Sequence, residues 1–383
     1  MAYKWDIKQI RKNKKYIERR LKNPMLDEDE KEKLRLGLIT NVSLLCTSDS
    51  LFYTRFGYAI NELLTKKFSI CKERKYAQME SDMFLKSNDY VDENYIDFLF
   101  NLAQNLSREI NDENEIEFEK NDLSEDDVIN ISRNFYYSLG DEEIYNYAMR
   151  TLSDEGSINF QEKDITGYED AKGLNLNDPV FGKSYCIVPN FHNLYSVQAL
   201  NHEIMHTIDF YECPKVPSKN YYGFHEIPTY TIDYLFIDYL EKIGFDKEEI
   251  EKLKNKKFSY LQDLARITIL QMKTDIARKK GLNAMKQMSA QDMLECLDFQ
   301  TMKNLLELES GVIAYGLQKQ IMVNKELGLE NLKQLMKQPL SKDKKPDFSN
   351  IGLSDEMLLE LSSELGAYSR TIVCSETIGK AKL

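Results

Sequence analysis

The stretch Asn201-His202-Glu203-Ile204-Met205-His206 decides most of what the sequence says about this chain. Residues four apart on a helix share one face about one turn from each other, so His202 and His206 can present two imidazoles to one point. Two imidazoles at this spacing can bind one Zn²⁺, and Glu203 can take a proton from water activated by the metal. The chain has only four histidines, which makes a chance match improbable. The pattern therefore predicts a metal site, with two exposed helix histidines as the alternative.

A zinc site of the catalytic kind needs a third protein ligand and leaves its fourth position for water. Glu226 is the best candidate, because it begins an apolar helical run after a connector marked by proline, serine and glycine. His225 is the alternative, since imidazole also binds zinc. Neighbouring residues on a helix point about 100° apart, so only one of the two should face the metal.

Two segments around the motif resemble the thimet oligopeptidase and oligoendopeptidase F family of zinc metallopeptidases. Residues 183–191 (KSYCIVPNF) and 200–206 (LNHEIMH) are similar to the family's strand that ends in Asn-Phe or Asn-Tyr and runs into an H-E-x-G-H helix. Residues 226–240 (EIPTYTIDYLFIDYL) resemble its second zinc helix, whose opening acidic residue is the third ligand. That position falls on Glu226. The resemblance recurs faintly near residues 310–353 and is not visible in the first 150.

The resemblance implies a mainly α fold with a small β-sheet, of the zincin type, with two helical lobes around an active-site channel. It implies one Zn²⁺ per chain, held by His202, His206 and Glu226, and short unfolded peptides as substrates. Glu203 is then the general base. The family takes its oxyanion donor from a tyrosine of a late helix, and the matching region places that tyrosine at Tyr315. Other tyrosines that could serve are Tyr221, Tyr222 and Tyr230.

Some nearby residues depart from the family pattern or have open roles. Met205 stands where the family usually has glycine, and we expect it to line a narrowed substrate pocket, with core packing as the alternative. Asp209 stands where the family often has a further histidine. Asp209 and Asp233 could each orient a ligand imidazole through its second nitrogen, or be exposed helix carboxylates. His192 is expected to be a loop residue rather than a substrate contact.

Composition excludes several classes of function. The formal charge of −12 argues against a nucleic-acid surface and against attraction to anionic lipid. The six cysteines are scattered without a C-x-x-C pair, which favours reduced thiols over a disulfide framework. No apolar stretch approaches the 18 residues or so that a membrane span needs, and no secretory signal is recognisable. A cytoplasmic location is therefore expected.

Near residue 155 the sequence pattern changes from helical periodicity to short strand-like segments. We predict an N-terminal helical region at residues 1–155 and a zincin-like catalytic region with C-terminal helices at residues 156–383. Short strands are predicted at 157–161 and 184–191, and an extended peptide could pair with the free edge of residues 185–190; a purely structural edge strand is the alternative. Helices are predicted at 5–21, 27–45, 51–68, 74–85, 95–110, 124–139, 141–152, 194–211, 226–242, 247–278, 290–296, 301–327, 331–336 and 354–373.

The intact motif favours a zinc metallopeptidase that hydrolyses short oligopeptides. A different class of function is a helical binding or scaffold protein that keeps a zincin fold with little or no peptidase activity. Met205 and the weak late-helix resemblance support that alternative, whereas the presence of Glu203 weighs against it. A more specialised zinc peptidase is a third reading of the same residues.

Overall fold

The structure is a computed structural model that describes residues 6–46, 91–107, 123–154, 156–161, 173–189, 192–212, 224–337 and 347–380. The helices predicted at 51–68 and 74–85 lie outside these residues, as do Tyr221 and Tyr222. Within the described residues the chain is mainly helical with one three-stranded sheet. The predicted mainly α fold with a small β-sheet is therefore confirmed.

The described elements follow the chain in order. They are α1 (Ile7–Arg20), α2 (Glu28–Cys46), α3 (Glu93–Leu106), α4 (Glu125–Leu139), α5 (Glu142–Leu152), β1 (Ile158–Gln161), β2 (Leu174–Asp178), β3 (Lys183–Pro189), α6 (Leu194–Glu212), α7 (Glu226–Lys242), α8 (Lys247–Lys280), α9 (Leu282–Gln287), α10 (Ala290–Cys296), α11 (Phe299–Val323), α12 (Lys325–Lys337), a 3-10 turn (Ser349–Ile351) and α13 (Asp355–Lys380). No helix among these combines the length and the apolar character that crossing a bilayer requires.

These elements fall into two compact units. The first contains α1, α2, α4, α5, the sheet and α6; the second contains α3 and α7 to α13. Each unit takes elements from both sides of residue 155. The sequence boundary between residues 155 and 156 stays a prediction.

The sheet of the first unit has the order β1-β3-β2. β1 runs parallel to β3, with Ile158 opposite Cys186, and β2 runs antiparallel, with Asn175 opposite Cys186 and Asp178 opposite Lys183. β3 is thus paired on both sides, so the predicted free edge at residues 185–190 is wrong. Its apolar residues explain the central position, because all residues from Ser184 to Pro189 are buried.

β2 is the strand that the sequence did not reveal. Its residues, Leu-Asn-Leu-Asn-Asp, include three of types that are depleted in strands, and the prediction treated this stretch as a connector. The polar side chains have partners in the fold. Asn41 Nδ2 of α2 donates to the buried Asp178 carboxylate over 2.5 Å, and Thr40 Oγ1 donates to the carbonyl oxygen of Asn177 over 2.6 Å. β2 is therefore stabilised by its hydrogen bonds to a helix as well as by the sheet.

α6 lies against this sheet and carries the histidine motif. It packs on β2 and β3 and against α4 and α5. The side chains of Leu200, Ile204 and Ile208 are fully buried and follow the helical repeat. On the α4 side, Tyr136 donates its hydroxyl to the carbonyl oxygen of Asn201 over 2.7 Å. The motif helix is therefore fixed on both faces within its own unit.

The second unit is an all-helical packing around α7, α8 and α11. α7 packs on α11 and α8, while α3 contacts α8, α10, α11 and α13. Two helices of this unit, α7 and α10, begin and end at the predicted residues. The helix predicted at 301–327 instead ends at Val323, because Asn324 is extended and its side chain accepts from Leu327 N to begin α12.

Candidate metal centre

His202 and His206 lie one turn apart on α6. Their ring centroids are 5.0 Å apart and the rings are nearly perpendicular. His202 is only 6% exposed, whereas His206 is half-buried. The alternative of two exposed helix histidines is therefore wrong for His202. A pair of imidazoles this close on one helix face is the arrangement that the i, i+4 spacing predicts.

Glu226 is the first residue of α7, and His225 precedes it at the N-cap. The two side chains have different surroundings. The side chain of His225 is 50% exposed and that of Glu226 24% exposed, and the His225 Nε2 atom lies 3.6 Å from Glu226 Oε1. Thr229 Oγ1 donates to Glu226 Oε2 over 3.0 Å and to the Glu226 carbonyl oxygen over 2.9 Å. Thr229 thus orients the Glu226 carboxylate.

The side chains of His202, His206 and Glu226 each offer one ligand atom, and these three atoms lie within 4.8 Å of one another. His225 is not a member of this group. Two imidazoles and one carboxylate are a donor set that suits Zn²⁺ and leaves a coordination position for water or substrate. The residues present therefore fit the metal that the motif predicts.

Glu203 is buried, with 3% of its surface exposed. Its backbone carbonyl oxygen accepts from Asn175 Nδ2 over 2.9 Å, and Asn175 Nδ2 also donates to Thr207 Oγ1 over 2.8 Å. Thr207 Oγ1 lies 3.3 Å from the same carbonyl oxygen. These bonds attach the motif helix to β2 at the turn that carries Glu203.

The thiol of Cys186, on β3, lies next to Thr207. Its Sγ is 3.8 Å from Thr207 Oγ1, and the residue is fully buried. Burial, with a smaller contribution from the Glu203 charge, raises the pKa of Cys186 to about 12. A buried thiol with a raised pKa is the protonated, unreactive form, which is typical of a structural cysteine.

Tyr315, the predicted oxyanion donor, lies on α11. Its hydroxyl donates to Glu364 Oε1 over 3.0 Å, and Lys319 lies over its ring at 5.1 Å from the centroid. No observation tests its catalytic role, which stays a prediction.

Tyr230 on α7 and Tyr260 on α8 share one hydrogen-bond acceptor, Glu307 of α11. Tyr230 donates to Glu307 Oε1 over 2.7 Å, and Tyr260 also donates to this oxygen. Burial raises the pKa of both phenols, and the charges of Glu307 and Glu226 raise it further. Both hydroxyls therefore stay protonated and lie within the field of the Glu226 carboxylate. Tyr230 was one of the predicted alternatives, whereas Tyr260 and Glu307 had no motif that could reveal them.

Asp233 is not an exposed helix carboxylate. Lys257 Nζ on α8 lies 2.7 Å from its Oδ2, and both side chains are almost fully buried. The same ammonium group lies 3.4 Å from the centroid of the Tyr230 ring. Asp233 thus joins α7 to α8; its predicted role in orienting an imidazole is not tested. Asp209 is half-buried, and its role likewise stays a prediction.

Met205 is 0% exposed, between the two histidines on α6. A side chain that lined an open pocket would retain accessible surface, so the expectation of a pocket residue is wrong and the core alternative describes it better. His192 is a loop residue, as predicted: it has a φ of 55°, and its Nδ1 lies 3.0 Å from the carbonyl oxygen of Leu123.

No family model matches the chain, and no curated protein matches it. Solved structures that are similar to this chain include a protein assigned as an oligoendopeptidase F from Bacillus anthracis str. Ames, at 14% identity and a TM-score of 0.46. The match covers 87% of this chain and 63% of the other, so this chain spans less than two thirds of that protein's length. PZ peptidase A, solved with an inhibitor, has 11% identity and a TM-score of 0.44, with 95% of this chain and 71% of the other covered. At these identities and TM-scores the likenesses support no conclusion about this chain.

Proposed function

We propose that this chain is a zinc-dependent metallopeptidase that hydrolyses peptide bonds in short unfolded oligopeptides. The observation that carries the proposal is the group of His202, His206 and Glu226, whose ligand atoms lie within 4.8 Å of one another, with Glu203 next to the first ligand. Structural zinc sites close all four positions with protein ligands, whereas three ligands are typical of catalytic sites.

In this proposal each residue has one task. A zinc ion held by the three ligands would supply Lewis acidity and would lower the pKa of a water molecule at its open position. Glu203 accepts a proton from the attacking water and delivers it to the leaving amine. Thr229 holds the Glu226 carboxylate in orientation.

The donor to the developing oxyanion is a tyrosine in this proposal. Tyr315 remains the choice that the sequence resemblance implies. Tyr230 and Tyr260 are the alternatives on α7 and α8, but both hydroxyls donate to Glu307 Oε1 and would have to leave this bond to serve the oxyanion. Loss of one such donor typically costs about 10²–10³ in kcat.

The sheet topology changes the expected mode of peptide binding. Within the described residues β1 and β2 each pair only with β3, so an extended peptide could join the outer edge of either strand, and on β2 the carbonyl oxygen of Asn177 already accepts from Thr40 of α2. β2 is also the strand whose Asn175 side chain bonds the turn that carries Glu203.

The proposal is tested by hydrolysis of a mixture of short peptides by the full-length protein, with zinc and with a chelator. We expect cleavage that the chelator abolishes. Glu203→Gln should keep the zinc and the fold but lose about 10²–10⁴ in rate, because it removes the base and no ligand. Zinc binding without any cleavage would instead favour the binding or scaffold class, and a Glu203→Gln rate within a few-fold of the parent would remove Glu203 from the mechanism.

A further inference from the structure

Gly173 directly precedes β2 and lies against the side chain of Glu203. A methyl group on its Cα would lie 2.7 Å from Cγ and 2.8 Å from Oε1 of Glu203. It would also lie 2.6 Å from the carbonyl oxygen of Ile187 on β3. Favourable contacts between carbon atoms begin at about 3.5 Å, so the space at Gly173 is already filled by its neighbours.

The reason for glycine here is space, since no positive φ is found at this residue. Of the atoms that a methyl group would meet, the Ile187 carbonyl belongs to the central strand, which is paired on both sides. The Glu203 carboxylate is the far end of a side chain with rotatable bonds. Asn175 holds the backbone of Glu203, so a methyl group at Gly173 would displace the Glu203 carboxylate rather than its backbone.

We infer that Gly173 is a positioning residue for Glu203: the missing side chain leaves the space in which the carboxylate is held. Its role in catalysis rests on the proposed function, but the contact does not. Nothing in the histidine motif reveals this residue, because it lies 30 positions before Glu203 in the sequence.

The contact is tested first by stability, on full-length protein with a chelator present. Gly173→Ala is compared in the parent and in a Glu203→Ala background, which removes the Cγ and Oε1 atoms. The clash with Ile187 is common to both backgrounds, so the difference between the two losses in Tm isolates the contact with Glu203. We expect the loss in the parent to be larger by about 2 °C or more.

Gly156→Ala is the matched control. Gly156 precedes β1, and a methyl group there would meet the flexible end of Lys183 at 3.2 Å. Its Tm and its activity should stay close to those of the parent. Equal losses in Tm for Gly173→Ala in both backgrounds would overturn the inference. Failure of Gly173→Ala to fold in both backgrounds would also overturn it, because the glycine then serves the strand; folding only in the Glu203→Ala background supports it.

The second arm measures zinc-loaded protein that cleaves peptides. Displacement of the base should lower kcat by about 10- to 100-fold in Gly173→Ala, while KM and zinc content stay unchanged. An unchanged kcat would show that Gly173 does not position the base. A parent protein that cleaves no peptide removes the proposed function, and the stability comparison then decides the contact alone.

Discussion

Glu226 and His225 are adjacent in the chain but differ in exposure and in partners. Glu226 is held by Thr229 and belongs to the group of candidate ligands, whereas half of the His225 side chain is exposed. The sequence could name both residues but could choose between them only by resemblance. The choice depends on where α7 begins, and helix ends are the least certain part of a pattern.

Glu226→Gln should lose far more zinc affinity than His225→Ala. The first variant removes a carboxylate ligand. The second removes His225, whose Nε2 lies 3.6 Å from that carboxylate and which would therefore be at most an outer partner of the metal. Loss of an outer partner costs roughly 10- to 100-fold in metal affinity, and loss of a ligand should exceed this. Zinc affinity is measured by competition with a chelator. The reverse order of the two variants would place the third ligand at His225.

Single residues far from the motif were beyond sequence analysis. Gly173, Asn175 and Thr207 surround Glu203 through contacts that link β2 to α6, and no local pattern encodes such pairs. The motif residues themselves were predictable because their spacing is a property of one helix. The prediction that Met205 lines a pocket was wrong for the same reason as these misses: its position on the helix is known from the spacing, but its burial depends on what packs around it.

At the scale of elements, α7 and α8 are joined by the buried pair of Asp233 and Lys257. Removing one member of a buried ion pair leaves the other charge without its partner in a place with little solvent. Lys257→Met should therefore lower the free energy of unfolding by about 3–5 kcal/mol, as measured by denaturant titration.

Lys273→Met is the matched control, because Lys273 is an exposed lysine on the same helix. Its effect should stay within about 0.5 kcal/mol. Asp233→Asn combined with Lys257→Met should recover part of the loss, since no unpaired charge remains. A loss below about 1 kcal/mol for Lys257→Met alone would mean that the pair does not hold the two helices together.

The elements show which patterns can be read from a sequence. α7 and α10 have the predicted bounds, and α4 ends at residue 139 as predicted, with Ser124 and Asp127 forming a capping box at its start. These depend on local signals: apolar periodicity and capping side chains. β2 was missed because its polar residues bond to α2 and α6, and such tertiary partners override strand propensity.

At the scale of the whole chain, the family resemblance and the helical periodicity predicted the mainly helical class, but nothing in the sequence predicted the make-up of the two units. Each unit combines elements that are distant in sequence, such as α3 with α7 to α13. Long-range packing of this kind leaves no local pattern. The proposed activity likewise depends on residues from several elements, so it is tested best by a property of the complete protein.

That property is the zinc content of the full-length protein after dialysis against excess zinc and then metal-free buffer. We expect one zinc ion per chain, and almost none in His202→Ala or His206→Ala, because two remaining ligands hold zinc poorly. His192→Ala is the control and should keep one zinc ion, since His192 is a loop residue bonded to Leu123. One zinc ion per chain in either motif variant, or none in the parent, would contradict the metal centre.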